Sequence, residues 1–211
     1  MGRKNYLHIA VIGNIASGKT TASQILANAL KANLVAEPFI DNPFLPLFIN
    51  DKKRWAFTTE LFFLRDRIKQ HENVKKLLTK NHVVVDSGML MGTWVYSRNQ
   101  FMQGFLTASE WQFYLELHKE LKKQYLNEDL VVYIKSSPAL SLKRIQKRGR
   151  KFEKGYDLNY LSQLHDRLEE LNNKLVTKGA SVLEFDTVNC DLTLFKNQES
   201  LVKEIKRKLK K

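Results

Sequence analysis

One octapeptide restricts the fold more than anything else in the chain. Gly13-Asn14-Ile15-Ala16-Ser17-Gly18-Lys19-Thr20 carries the spacing G-x-x-x-x-G-K-[ST] in full. The apolar run Tyr6–Ile12 precedes it as a short buried strand. Lys19–Lys31 follows with helical spacing through Ile25, Leu26, Ala29 and Leu30. This strand–loop–helix unit makes a phosphate cradle. Gly13 and Gly18 let the backbone curl so that amide N–H groups converge on anionic oxygens. The helix beginning at Lys19 adds the positive end of its dipole. The Lys19 ammonium reaches the β- and γ-phosphates, and the Thr20 hydroxyl suits Mg²⁺. All eight residues are therefore candidate contacts for a nucleoside triphosphate. The motif leaves the reaction open.

The rest of the chain alternates strand and helix. Short apolar segments at 33–36, 82–85, 130–134 and 181–185 read as strands. Segments at 51–79, 89–102, 109–125, 138–147, 157–178 and 198–210 read as helices. Such alternation implies an α/β fold with a parallel sheet covered on both faces. The length, 211 residues, fits a single domain over 1–211. The segment 37–46 holds three of the four prolines and reads as an ordered loop. No apolar run approaches the ~18–20 residues that span a bilayer, and the start of the chain lacks a secretory pattern. A single cysteine, Cys190, excludes an internal disulfide and a multi-cysteine metal site and suits a reducing cytoplasm. The five histidines show no metal-ligand spacing. The net charge of +13 attracts polyanions without naming one, and the 203–211 cluster reads as a solvated helix end rather than a nucleic-acid arm.

Three more groups fall where a parallel sheet binds ligands. Asp86 ends the Val83-Val84-Val85 run, where a carboxylate can serve Mg²⁺ directly or through water, or cap a helix. Arg144, Arg148 and Arg150, with Glu153, straddle a helix end and a glycine. They suit a lid, about 144–156, closing on phosphates with guanidinium forks. Glu37-Pro38 follows the second strand, where a carboxylate can take a proton from an attacking hydroxyl.

Together with Asp41-Asn42-Pro43-Phe44-Leu45-Pro46-Leu47-Phe48, Arg54-Trp55-Ala56-Phe57, Phe63-Leu64 and Tyr160-Leu161, these residues resemble bacterial deoxyadenosine and deoxyguanosine kinases of the deoxyribonucleoside kinase family. The resemblance implies a P-loop kinase fold, a five-stranded parallel sheet with helices on both faces and an arginine-rich lid. It implies transfer of the ATP γ-phosphoryl group to the 5′-hydroxyl of a deoxynucleoside, and a homodimer or a heterodimer with a related subunit. Glu37 matches the general base, Asp86 the magnesium-linked acid, Arg144, Arg148 and Arg150 the lid arginines, and Glu153 the lid carboxylate near the sugar. Trp55 and Phe63 match the base pocket, Arg67 a pocket arginine, and the 186–191 loop the adenine site.

The chain departs from the family at four places. Ser87 stands where the family has arginine, and Ile49 where a tyrosine holds the sugar 3′-hydroxyl. Glu60 replaces a base-reading glutamine, and Gly92 an aspartate. Glu60, a carboxylate, favours a donor-rich base edge unless protonated. Gly92 leaves extra room. Arg67, seven residues from Glu60, shares its helix face and can pair with it or with a base carbonyl. Arg98 is a candidate replacement for the missing arginine. The leading expectation is a cytoplasmic ATP- and Mg²⁺-dependent deoxynucleoside kinase, weakly favouring purines, with no membrane or specific nucleic-acid partner. A kinase for a ribonucleoside or nucleoside monophosphate, and a noncatalytic nucleotide-binding paralogue, are the alternatives.

Overall fold

The computed structural model describes residues 6–37 and 41–210, with the side chains of residues 151 and 152 left aside. Pro38, expected to set the chain direction after Glu37, lies outside the described residues. Five strands, β1 (His8–Gly13), β2 (Asn33–Val35), β3 (Val83–Asp86), β4 (Leu130–Lys135) and β5 (Val182–Asp186), form one parallel sheet in the order β2-β3-β1-β4-β5. β1 lies at the centre, with Ile9 opposite Val84 on one side and Leu130 on the other.

The central strands read as unbroken apolar runs because helices cover both faces. On one face, Ile9, Val11, Val132 and Ile134 pack with Leu26 of α1 (Lys19–Leu30) and Leu201 and Ile205 of α9 (Phe195–Leu209). On the other, Ile12, Val131 and Tyr133 meet Leu164, Leu168 and Leu171 of α8 (Leu158–Thr177). Val83 and Val85 pack against Val74 of α3 (Lys52–Leu77), whose Asp51 cap accepts from the Arg54 amide. Helix α6 (Ala108–Lys122) starts with a reciprocal capping box between Thr107 and Glu110.

Several boundaries differ from the sequence expectation. The segment read as loop, 37–46, runs into a short helix, α2 (Leu45–Asn50), opened by Pro46 near its N-terminus. The helix expected over 89–102 is three joined pieces: α4 (Met89–Met91), a π-helical stretch Gly92–Ser97, and α5 (Arg98–Met102). Helix α7 (Pro138–Arg148) stops at Gly149, and a 3₁₀ turn, Lys151–Gly155, follows. Helix α9 starts three residues before the expected 198. Among the described residues no helix is long and apolar enough to cross a membrane.

Candidate active site

Because β1 is central, its C-terminal end delivers the glycine-rich loop to the middle of the ligand-binding edge. A side chain at Gly13 would place its Cβ 2.5 Å from the Ile134 carbonyl oxygen, so only glycine fits beside β4. Gly18, with φ 103°, turns the chain into α1. Ala16 also has positive φ, at 57°. Residues Ile15 through Thr20 line a cavity of about 510 Å³. Gly13 and Asn14, expected among the nucleotide contacts, do not line it. Asn14 is buried, donating from Nδ2 to the Leu161 carbonyl at 2.8 Å and accepting from the Ile15 amide at 2.8 Å, which ties the loop to α8.

Lys19 Nζ donates to the Asn14 carbonyl oxygen at 2.8 Å. Burial lowers its pKa, and the carboxylates of Asp86 and Glu37 oppose that effect. The Thr20 hydroxyl donates to Asp86 Oδ2 at 2.6 Å, while buried Asp86 Oδ1 has no hydrogen-bond partner among the described residues. These hard oxygen donors at the phosphate loop fit Mg²⁺. No group of three or more His, Cys, Asp or Glu assembles a metal cage among the described residues.

Glu37 reaches the same cavity from the end of β2. Burial raises its pKa, opposed by Arg67 and then Lys19. Arg67 Nη2 donates to Glu37 Oε1 at 3.3 Å, so the structure pairs Arg67 with Glu37 rather than with Glu60. Arg67 also fills the space expected at Gly92: a Cβ there would lie 2.7–2.8 Å from its Nε, Cδ and Cζ. Nε and Nη1 of this buried guanidinium lack partners among the described residues. Ser87 has φ 63°, and its hydroxyl faces Glu37 and Tyr96 without a well-formed hydrogen bond. Arg98 is elsewhere, paired with Glu170 at 2.9 Å, and does not replace the absent arginine.

Glu60 and Phe63, on α3, line the same cavity. Glu60 Oε2 accepts from the Ser97 hydroxyl at 2.6 Å, on the π-helical stretch. Burial pushes its pKa up to about 6 against the pull of Arg67, Ser97 and Gln100. Trp55 does not line the cavity. It stacks on Phe44 with ring centres 5.8 Å apart, under the Arg54 guanidinium.

The lid arginines divide. Arg144 donates to the carbonyls of Ala16, Ser17 and Thr187 and to the Thr187 hydroxyl, over 2.9–3.3 Å. It braces the phosphate loop against the segment after β5 instead of pointing a free fork at the cavity. Arg148 grips Glu153 with both Nε (2.6 Å) and Nη2 (2.5 Å), and Arg150 Nη1 lies 3.5 Å from Glu153 Oε1. Asp191 and Thr187, in the expected adenine loop, also line the cavity. Tyr96, Gln100 and Tyr156 line it too and had no sequence signal beyond their polarity. Tyr160 was visible only through the family resemblance.

Comparisons with known proteins point to one family. The family described as deoxynucleoside kinase matches residues 9–210. Deoxyguanosine kinase of Bacillus subtilis is 32% identical over 157 residues, 74% of this chain and 73% of that protein. Deoxyguanosine kinase of Lactobacillus johnsonii is 33% identical over 168 residues, 77% of this chain and 72% of that one. A structure of M. mycoides deoxyadenosine kinase with bound dATP superposes with a TM-score of 0.80 at 22% identity, covering 98% of this chain and all of that one. The chain therefore belongs to the deoxynucleoside kinase family, and its chemistry is ATP-dependent phosphorylation of a deoxynucleoside.

Proposed function

We propose that the acceptor is a purine deoxynucleoside, phosphorylated on its 5′-hydroxyl with Glu37 as the general base. One observation carries this reading: Lys19, the Thr20–Asp86 pair, Glu37, Glu60 and Phe63 all line one cavity. The loop amides and Lys19 bind the donor phosphates. Thr20 and Asp86 would hold Mg²⁺, which when bound neutralises phosphate charge. Glu37 accepts the proton of the attacking hydroxyl. Arg148 and Arg150, released from Glu153, neutralise the transferring phosphoryl group. Arg144 acts by holding the loop in shape.

Ionised Glu60 only accepts hydrogen bonds. Guanine offers it N1–H and the N2 amino group side by side, whereas adenine offers one donor beside an acceptor. That chemistry, and the names of the two relatives above, favour guanine. A cytoplasmic setting suits the lone cysteine.

The test is turnover of the purified chain with ATP and Mg²⁺ on four deoxynucleosides, their ribonucleoside counterparts and monophosphates, with a Lys19→Ala control. Preferential phosphorylation of deoxyguanosine, lost in the control, supports the reading. Turnover confined to monophosphates or ribonucleosides overturns it.

A further inference from the structure

Resting on that nucleoside reading, we propose that Tyr156 holds the 3′-hydroxyl of the acceptor sugar, a task position 49 cannot perform in this chain. Ile49 is buried at the end of α2, has no hydrogen-bonding group and does not line the cavity. The 3₁₀ turn lies directly on it: a methyl at Gly155 would fall 2.3 Å from Ile49 Cγ2. The residue that follows this contact is Tyr156, which does line the cavity.

The ring of Tyr156 is fixed. It stacks on Tyr160 with ring centres 5.5 Å apart and planes 5° from parallel. Tyr160 is itself held by Gln100 Nε2, which donates to its hydroxyl at 3.0 Å. The Tyr156 amide donates to the Glu153 carbonyl at 3.1 Å, coupling the ring's position to the lid carboxylate. Its hydroxyl, by contrast, has no hydrogen bond among the described residues. Burial raises its pKa, with Tyr160, Tyr96, Glu153 and Glu37 adding to the effect, so the phenol stays protonated.

A neutral phenol both donates and accepts, as a sugar hydroxyl does. Three neighbouring cavity groups already have a hydrogen-bond partner. The Tyr160 hydroxyl accepts from Gln100, the Thr59 hydroxyl donates to the Phe44 carbonyl, and Glu60 accepts from Ser97. Tyr96 sits over Arg67 and beside Ser87. Tyr156 lies within electrostatic reach of both Glu37, at the 5′ end, and Glu153. A deoxyribose whose 5′-hydroxyl faces Glu37 would then turn its 3′-hydroxyl to Tyr156.

The experiment compares the best deoxynucleoside with its 2′,3′-dideoxy counterpart, in wild type and Tyr156→Phe. Phenylalanine keeps the stacked ring and removes only the hydroxyl. We expect kcat/KM on the deoxynucleoside to fall roughly 3- to 10-fold, the range for one neutral hydrogen bond. The dideoxynucleoside, which keeps its 5′-hydroxyl, should change by less than about twofold, so the variant loses the wild type's preference. Equal losses on both substrates, or no loss on either, overturn the assignment of Tyr156 and leave the nucleoside reading intact. A wild type inactive on every deoxynucleoside overturns the nucleoside reading itself, and this inference with it.

Discussion

Replacing Glu60 by glutamine should stabilise the protein in a pH-dependent way while changing the base it selects. Glu60 is 3% exposed, and its pKa stands at about 6 against an ordinary value of 4.5. The folded state thus resists ionising it. Below pH ~4.5 the carboxyl is protonated whether folded or unfolded, and no penalty exists. As pH rises through about 6 the penalty grows, and above pH ~7 it is complete. At about 1.36 kcal/mol per pH unit, the distance from 4.5 to about 6 costs the wild type about 2 kcal/mol at neutral pH. Glu60→Gln removes that cost and keeps an oxygen to accept from Ser97. Its melting temperature should exceed wild type by roughly 4–8 °C at pH 7.5, with the gap closing towards pH 4.5. The assay is thermal unfolding of both proteins across pH 5–8. Base preference on the four deoxynucleosides is measured alongside. An amide pairs with adenine through one donor and one acceptor, so deoxyadenosine should gain on deoxyguanosine. A stability difference that is constant with pH, or larger at pH 5 than at pH 8, would refute the reasoning.

Glu37→Gln should lower kcat by ~10²–10⁴-fold with ATP affinity nearly unchanged, measured by steady-state turnover and nucleotide titration. In wild type the acid limb of kcat/KM should lie above the ordinary carboxylate range, because burial raises the Glu37 pKa. Gly92→Ala should drive Arg67 from its place, removing the nearest cation from Glu37, and shift that limb to still higher pH. Arg144→Met should cost about 1–3 kcal/mol in thermal unfolding and raise KM for ATP, since it strips partners from two phosphate-loop carbonyls.

The donor half of the site was legible because a phosphate cradle demands rare residues in fixed order. Gly13, Gly18, Lys19 and Thr20 announce themselves, and Asp86 follows from where an apolar run ends. In the acceptor half the resemblance supplied residues such as Glu37, Glu60 and Phe63 but not their contacts, which depend on which way long side chains turn. Glu60 and Arg67 share a helix face, yet the gap at Gly92 lets Arg67 lean to Glu37. Arg144 carries the same chemistry as Arg148 but spends it on backbone carbonyls, a choice set by Thr187 from the far end of the chain. Trp55 reads like a pocket aromatic until Phe44 covers it. The helix at 45–50 was not legible because Pro43 and Pro46 suggest a loop, although Pro46 opens the helix.

The Arg144 brace has a consequence for how the protein meets its nucleotide. The carbonyls it holds belong to residues 16 and 17, its helix begins at 138, and Thr187 closes the contact. The donor site therefore exists only after the first, fourth and fifth strands have come together. A partly folded chain offers nucleotide no complete cradle, so ATP binds the native state alone and shifts the folding equilibrium by mass action. At a hundredfold excess over its Kd this amounts to about 2.7 kcal/mol. Nucleotide supply then sets how much of the chain survives heat or proteolysis, before any phosphoryl group is transferred.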